Sequence, residues 1–231
     1  VNPALQQVQF TRDQTTAAAG RLLCAAVICV VDYGRGNLFS IGRALDVLGL
    51  KYQVTEDADT VAAASRVILP GVGAFGGAME IIRERGIDSA LCEVAARGDQ
   101  IVGICLGEQM LATRSFEFGE HAGLNLIPGD VVRLKDPAHG QGTRIPNIGW
   151  REVTAHNRYD ALERLGHRPY FYFIHSYHVR CAAPEHVVGT IEVNGDHVPA
   201  IIRKENIWGF QFHPEKSGQA GLALLGDTLR I

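Results

Sequence analysis

The sequence predicts an α/β protein with a doubly wound, mostly parallel sheet and an additional antiparallel or mixed β section in its C-terminal half. Short apolar runs alternate with amphipathic helical patterns in the first half, which is typical of parallel strands covered by helices on both faces. Glycine-dense turns follow two of these runs, at the sheet edge where such folds bind ligands. From Gly129 onward, segments rich in β-branched and aromatic residues alternate with polar loops, as in antiparallel or mixed strands.

Size and composition favour a folded protein of ordinary charge. The chain has 231 residues, of which 46% are hydrophobic, so a sizeable core can form. The net charge of −3, with acids and bases intermixed, gives no indication of a nucleic-acid or membrane partner. Five scattered cysteines without a CxxC pair argue against a disulfide framework and a structural zinc site. They favour a reducing compartment, and we expect a cytoplasmic protein.

The N-terminal region is expected to be a flexible extension over residues 1–24, because it is polar and alanine-rich with no clear period. The apolar run that follows is too short to span a bilayer and lacks a small-residue cleavage site. We therefore interpret Ala25–Val31 as a buried first strand. No repeat or break in composition divides the rest of the sequence, and residues 25–231 are expected to form one domain.

The remaining elements are predicted in chain order from period, caps and turns. A helix that Asn37 or Ser40 can cap carries an apolar face and ends at Gly49. The other predicted segments of the first half are strands at Tyr52–Thr55, Arg66–Leu69 and Gln100–Ile104, with helical patterns through Met79–Ile82 and Leu91–Val94. Those of the second half are strands at Asp130–Leu134, Trp150–Val153, Tyr170–Val179 and Val187–Val193, a hairpin of Pro199–Arg203 with Ile207–Phe212, and a helix at Gly218–Leu229.

The segment Gly103-Ile104-Cys105-Leu106-Gly107 has the pattern of a nucleophile elbow, with cysteine in the usual serine position. The elbow is a tight strand-to-helix turn, and flanking glycines relieve crowding there. A thiol at a helix N-terminus is favoured as thiolate, and the free N–H groups nearby can hold an oxyanion. A buried structural cysteine is the alternative, unless a base lies close by.

A candidate base occurs in the segment Gln211-Phe212-His213-Pro214-Glu215, just past a predicted strand. An imidazole is the usual activator of a thiol, which is only slightly ionised at neutral pH. Glu215 can accept a hydrogen bond from the other ring nitrogen of His213 and fix its orientation. The alternative is a surface histidine beside a solvated acid.

A glycine-dense loop, Pro70–Gly77, follows the third strand. The P-loop pattern GxxxxGK[ST] is absent from the sequence. We interpret the loop's backbone N–H groups as part of an active-site rim, and a merely flexible turn is the alternative.

Taken together, these motifs resemble the class I, or triad, glutamine amidotransferases, which have a flavodoxin-like sheet. The resemblance rests on GICLGEQM, QFHPEKS and the loop PGVG, and covers roughly residues 26–231. Three further segments, DYGRGNL, IPNIGW and FIHSY, resemble the glutaminase subunits of imidazole glycerol phosphate synthases. Such subunits hydrolyse L-glutamine through a glutamyl thioester and pass ammonia to a (β/α)8 cyclase subunit. No metal or organic cofactor is implied.

The resemblance implies a role for each matching residue. Cys105 is the nucleophile, His213 the general base and acid, and Glu215 the residue that holds His213. The implied oxyanion donors are the backbone N–H groups of Leu106 and of the segment Gly71, Val72 and Gly73. The residues matching substrate-binding positions are Gln109, Glu117, Ser176 and Tyr177, and those matching the partner interface are Trp150 and Lys216. Plainer alternatives are helix packing for Gln109, a solvated acid for Glu117, ordinary strand residues at 175–177, a core role for Trp150 and a surface lysine at 216.

Two residues depart from the family pattern: Asn147, where histidine is usual, and Glu108, where an apolar residue is usual. A carboxylate pointing into the elbow would oppose the thiolate, so we expect Glu108 to face away, toward a partner. Three alternative functions stay open at this point. They are a sister glutaminase that supplies surface-sugar biosynthesis, a cysteine-elbow peptidase or chaperone, and a non-catalytic binding module. The His-Pro-Glu segment disfavours the second, and the complete set Cys105, His213 and Glu215 disfavours the third.

Overall fold

A computed structural model describes residues 27–138, 142–156, 159–166 and 169–230. Its helices are α1 (Leu38–Val47), α2 (Ala58–Ala63), α3 (Phe75–Glu84), α4 (Ile87–Ala96), α5 (Leu106–Met110), α6 (Asp160–Arg164) and α7 (Gly218–Arg230). Its strands are β1 (Ile28–Val31), β2 (Tyr52–Thr55), β3 (Arg66–Leu69), β4 (Gln100–Ile104), β5 (Arg114–Ser115), β6 (His121–Ala122), β7 (Gly129–Arg133), β8 (Asn147–Glu152), β9 (Thr154–Ala155), β10 (Tyr170–His175), β11 (Tyr177–Cys181), β12 (Val187–Val193), β13 (Asp196–Lys204) and β14 (Ile207–Phe210).

The central sheet has eight strands in the order β2-β1-β3-β4-β14-β13-β12-β9. The first five are parallel, and β13, β12 and β9 continue the sheet with antiparallel pairings. The predicted fold class, a mostly parallel sheet with a further antiparallel or mixed section, is therefore confirmed. None of the described helices is long and apolar enough to cross a membrane.

The sheet is covered on both faces, and its strands divide their side chains between two cores. Along β1, Ile28 and Val30 pack into one core, whereas Cys29 and Val31 pack into the other. The first core also holds the apolar sides of α1 and α7, and the second those of α2, α3 and α4. This alternation follows from the two-residue period of a strand, and it explains why β1 reads as an unbroken apolar run.

The β section outside the central sheet differs from the prediction in one respect that matters for the site. The predicted strand Tyr170–Val179 is two strands, which separate at Ser176. β10 pairs antiparallel with β8, and β11 pairs antiparallel with β7 in a four-stranded sheet, β11-β7-β5-β6. The β8–β10 ladder ends at His175, whereas the Ser176 carbonyl accepts a hydrogen bond from Leu134 N (2.8 Å) in register with the β7–β11 ladder. The chain bends there, and Ser176 comes to the surface of a cavity.

Two further elements in the first half of the chain differ from the prediction. The glycine loop ends earlier than predicted, because α3 begins at Phe75, whose ring is fully buried in the helix's apolar face. Helix α2 was not predicted; it begins after Asp57, which caps it by accepting from Thr60 N (2.9 Å). The predicted extension, residues 1–24, and the first residues of the predicted strand Ala25–Val31 lie outside the described part of the chain.

Candidate active site

Cys105 stands at the turn between β4 and α5, as the elbow pattern predicts. Its backbone has φ 55° and ψ −109°, a conformation that costs a residue with a Cβ strain energy. Two close backbone approaches surround it. A Cβ on Gly107 would collide with the Leu69 carbonyl oxygen, and one on Gly103 would lie 2.6 Å from the Gly107 oxygen. Gly107 is therefore required for the turn to pack against the end of β3, and Gly103 for α5 to fold back closely over β4.

His213 reaches Cys105 because β14 is the parallel neighbour of β4. Phe210 is paired with Ile104 in the ladder, and Cys105 N donates to the Phe210 carbonyl (2.7 Å). Three residues further on, His213 N donates to the Tyr172 carbonyl (3.0 Å), so the backbone of the histidine is held on β10. The nucleophile and the base thus come from two hydrogen-bonded strands.

Glu215 orients the His213 ring. His213 Nδ1 lies 2.8 Å from Glu215 Oε1, and the carboxylate side chain is only 1% exposed. The other ring nitrogen, Nε2, is buried and has no hydrogen-bond partner among the described residues. Burial alone would lower the pKa of His213. Interaction with the Cys105 thiolate, together with the hydrogen bond and charge of Glu215, outweighs burial and raises this pKa to about 10.

The two side chains open onto a cavity of about 280 Å³. Its lining contains most of the residues that the sequence singled out. These are Val72, Gly73, Cys105, Leu106, Gln109, Glu117, Ser176, Tyr177 and His213, joined by Pro146, Ile174 and His175. Among the described residues, no group of three or more His, Cys, Asp or Glu side chains is arranged to hold a metal ion. The cavity offers a nucleophile, an imidazole and polar groups on its wall.

One candidate oxyanion donor, Leu106 N, is already hydrogen-bonded. Leu106 N donates to the Gly71 carbonyl (3.3 Å), so the glycine loop occupies the donor nearest the thiol. Gly71 itself packs tightly against the start of α5, because a Cβ there would lie 2.9 Å from both Gly107 N and Leu106 Cβ. Val72, the next residue of the loop, is 43% exposed. The glycine loop therefore lies beside the elbow, and it is the Gly71 carbonyl, not an N–H group of the loop, that points to Leu106 N.

The candidate substrate-binding residues are held by hydrogen bonds. Gln109 Nε2 donates to the Tyr177 carbonyl (2.9 Å) and to Gln211 Oε1 (3.0 Å). Gln211 Nε2 in turn lies 4.0 Å from Cys105 Sγ. Glu117 Oε2 accepts from the first N–H of α3, that of Phe75 (2.6 Å). The sequence predicts no role for Gln211, although it lies two residues before His213, because spacing alone does not show that it faces the thiol.

The predicted interface residues lie outside the cavity. Trp150 is 53% exposed on the two-stranded sheet of β8 and β10, and Lys216 is exposed beyond the triad glutamate. Three further large apolar side chains on this sheet are exposed, namely Ile148, Tyr170 and Ile174. All four positions have even numbers, and the ladder pairs Tyr172 with Trp150 and Ile174 with Ile148. They therefore form one apolar face, which we call the β8–β10 face.

Glu108 points away from the cavity as expected, but the expectation that it faces a partner is wrong. Its side chain is fully buried against Gly209 and Ile202, and neither carboxylate oxygen has a hydrogen-bond partner among the described residues. Burial raises the pKa of Glu108 well above its usual range, which favours the neutral acid. The elbow helix turns this position into the core below the sheet, away from the cavity. A neutral Glu108 therefore opposes negative charge on Cys105 less than an ionised carboxylate at this position would.

Comparison with known proteins decides the family. The model of the family "Glutamine amidotransferase class-I" matches residues 29–229. The chain belongs to the class-I glutamine amidotransferase family. It is 44% identical over 206 residues to the "Imidazole glycerol phosphate synthase subunit HisH" of Moorella thermoacetica, covering 88% of this chain and 95% of that protein. The subunit HisH of Salinibacter ruber is 37% identical over 200 residues, with 86% and 91% covered.

Solved structures agree on the fold of this class-I amidotransferase. A "Crystal structure of glutamine amidotransferase" superposes with a TM-score of 0.67 at 20% identity, covering 88% of this chain and 99% of that one. The "Structure of PurLQS from Thermotoga maritima" gives a TM-score of 0.67 at 21% identity, with 89% and 97% covered. The resemblance that the motifs indicated, to class I amidotransferases and to glutaminase subunits of imidazole glycerol phosphate synthases, is confirmed.

Proposed function

We propose that this chain is the glutaminase subunit of an imidazole glycerol phosphate synthase in cytoplasmic histidine biosynthesis, acting through a domain that spans residues 25–231. It hydrolyses L-glutamine to glutamate and ammonia, and a (β/α)8 cyclase subunit receives the ammonia. One observation carries the proposal. A chain 37–44% identical to HisH subunits brings Cys105 and the His213–Glu215 pair to one cavity.

The chemistry begins with a proton transfer between Cys105 and His213. His213 takes the proton of the Cys105 thiol, and the raised pKa of His213, about 10, favours the resulting imidazolium at neutral pH. The thiolate attacks the side-chain amide carbon of glutamine, and a C–S bond forms. The tetrahedral intermediate then expels ammonia with the proton from His213, which leaves a glutamyl thioester.

Deacylation uses the same groups in reverse. Neutral His213 takes a proton from water, and the hydroxide oxygen adds to the thioester carbon. The C–S bond breaks and returns the thiolate, with glutamate as the product. Glu215 stabilises the imidazolium through the 2.8 Å hydrogen bond in both halves of the reaction.

Oxyanion stabilisation requires a change at the glycine loop. Leu106 N–H is bonded to the Gly71 carbonyl, so it can hold an oxyanion only after this contact opens and a loop N–H from Val72 or Gly73 turns toward the thiol. A missing oxyanion donor costs about 10²–10³ in rate. This supports weak activity for the chain alone and activation by the partner.

Substrate and partner each have a suitable surface. Glu117 lies in the cavity wall and suits the α-ammonium of glutamine, while Gln109, Ser176 and Tyr177 line the rest of that wall. The β8–β10 face adjoins the cavity through Ile174 and exposes four large apolar side chains. Exposed apolar faces of this kind are typical of protein interfaces, which supports docking of the cyclase there, with Lys216 at its edge.

The test measures glutamate release by the chain mixed with its cyclase subunit. We expect Cys105→Ala to abolish release, and Cys92→Ala to leave it unchanged, because Cys92 is exposed on α4. Unchanged release by Cys105→Ala would refute the thioester route. The chain should also restore growth to a histidine auxotroph that lacks this subunit. Failure of that complementation, with glutaminase activity intact, would point to the surface-sugar alternative instead.

A further inference from the structure

We propose that Asn147 is a positioning residue for the glutamine site: its amide fixes the ring of His175, and that ring holds the Tyr177 carbonyl and the wall formed by Ser176 and Tyr177. The inference rests on the proposed glutaminase function. It concerns a residue at which this chain carries asparagine in place of the histidine usual in the family pattern.

The direction of each hydrogen bond in this group is fixed by chemistry. Arg151 Nε lies 2.9 Å from Asn147 Oδ1, and a guanidinium can only donate. The oxygen of the Asn147 amide is thereby assigned, so its nitrogen is the atom 2.9 Å from His175 Nε2. An amide nitrogen donates, and Nε2 must accept. His175 Nδ1, which lies 2.9 Å from the Tyr177 carbonyl, therefore carries the ring proton.

The Tyr177 carbonyl is where this chain of hydrogen bonds meets the candidate site. It accepts from His175 Nδ1 and from Gln109 Nε2, which uses both of its lone pairs. Gln109 also bonds Gln211, the residue beside the thiol. A displacement of Asn147 would therefore reach the cavity wall through two buried side chains, each with fixed donor and acceptor atoms.

The surroundings of His175 favour the neutral ring that this pattern needs. The ring is 5% exposed and packs near Phe173, with centroids 5.6 Å apart. Burial lowers the pKa of His175 to about 4, and positive charges on His178, His213 and Arg151 act in the same direction, against the hydrogen bond to Tyr177. A protonated ring would point Nε2–H at the N–H donors of Asn147.

Two substitutions separate positioning from mere space filling. Asn147→Asp keeps the size and the bond to Arg151 but replaces the donor by an acceptor, which favours the His175 imidazolium. With the cyclase bound, we expect KM for glutamine to rise about 10-fold, and kcat to change less, because the substrate wall is displaced. Asn147→His can accept from Arg151 and donate to His175, and should keep KM within about 3-fold.

Nitrogen-15 spectra of the histidine rings supply the second readout. In the wild-type chain, His175 should show the neutral Nδ1–H form, unchanged between pH 5.5 and 8, and Asn147→Asp should show the imidazolium at pH 7. The control is Gln100→Leu, which removes a part-buried amide bonded to Thr228 at the other end of β4. It should reduce stability without changing KM.

A wild-type His175 that titrates near pH 6.5, or that carries its proton on Nε2, would overturn the proposal, as would an unchanged KM in Asn147→Asp. If Asn147→Asp fails to fold, the nitrogen-15 spectrum of His175 in the wild-type chain still tests the proposed tautomer by itself. A failure of the proposed function would appear differently, as absent glutamate release by the wild-type complex with the ring spectrum as expected.

Discussion

Replacing Glu108 should stabilise the protein. The carboxyl is fully buried, and both oxygens lack hydrogen-bond partners among the described residues. An unpaired buried polar group costs about 1–3 kcal/mol, and methionine has a similar volume without that cost. We therefore expect Glu108→Met to raise the free energy of unfolding by about 1–3 kcal/mol. For a chain of this size that corresponds to a Tm rise of about 2–12 °C.

A pH series separates burial of the polar group from its ionisation. The folded-state pKa of Glu108 is raised by burial, so the folded state holds its proton at a pH where the unfolded chain has lost it. The carboxyl therefore costs least below its unfolded pKa of about 4.3, and the cost grows as pH rises above that value. Glu108→Gln keeps a buried polar group that cannot ionise. Relative to this variant, the wild type should lose stability as pH rises above about 4.3.

Denaturant unfolding of the full chain at pH 5, 6 and 7 measures both effects. Glu93→Met is the matched control, because Glu93 is exposed on α4, and it should change stability by less than about 0.5 kcal/mol. Glutamate release with the cyclase should stay within about twofold in Glu108→Met, since the side chain does not line the cavity. A Glu108→Met variant no more stable than the wild type, or a gap to Glu108→Gln that is flat with pH, would refute the reasoning.

Three further outcomes are expected. Gly107→Ala should cost at least about 3 kcal/mol in denaturant unfolding, because its Cβ would collide with the backbone carbonyl of Leu69, and a result below 1 kcal/mol would contradict the elbow packing. Glu215→Gln should lower kcat about 10²-fold or more and bring the pKa of His213 down from about 10, as read from ring spectra. The stability that the charged His213 provides is complete below about pH 6.5 and is lost as pH rises through about 10, and this loss should be smaller in Glu215→Gln. Trp150→Ala should weaken cyclase binding about 30-fold in titration calorimetry without unfolding the chain, whereas unchanged affinity would place the interface elsewhere.

The sequence predicted those parts of the fold that local pattern controls. The bounds of β2, β3, β4 and β12 match the structure, because each is a short run rich in apolar, aromatic or β-branched residues, ended by a turn residue or a change of period. The elbow and the His-Pro-Glu turn were likewise visible as motifs, and the structure brings them to one cavity. Their residue roles stay predictions until the variants are measured.

What the sequence could not supply is pairing at long range. Nothing local to Tyr170–Val179 shows that its two halves enter different sheets at Ser176, because the partner strands β8 and β7 decide the break. Burial of Glu108 was missed for a related reason. A charged residue in a five-residue helix is expected at the surface, and only the approach of Gly209 on β14 reveals the space that receives it. The bond between Asn147 and His175 also depends on a ladder, in which the two residues are directly opposite.

The arrangement separates a fixed part of the candidate site from a part that can change. Cys105 and His213 are tied to each other through the ladder of β4 and β14, and the Cys105 N–H bond to Phe210 belongs to that sheet. The glycine loop, by contrast, is joined to the elbow by the hydrogen bond from Leu106 N to Gly71, and it exposes Val72. Rotation of one peptide in this loop would exchange a carbonyl for an N–H donor without disturbing the nucleophile or the base. A partner that docks on the neighbouring β8–β10 face could therefore control the rate through the oxyanion donors alone, which predicts an effect on kcat larger than that on KM.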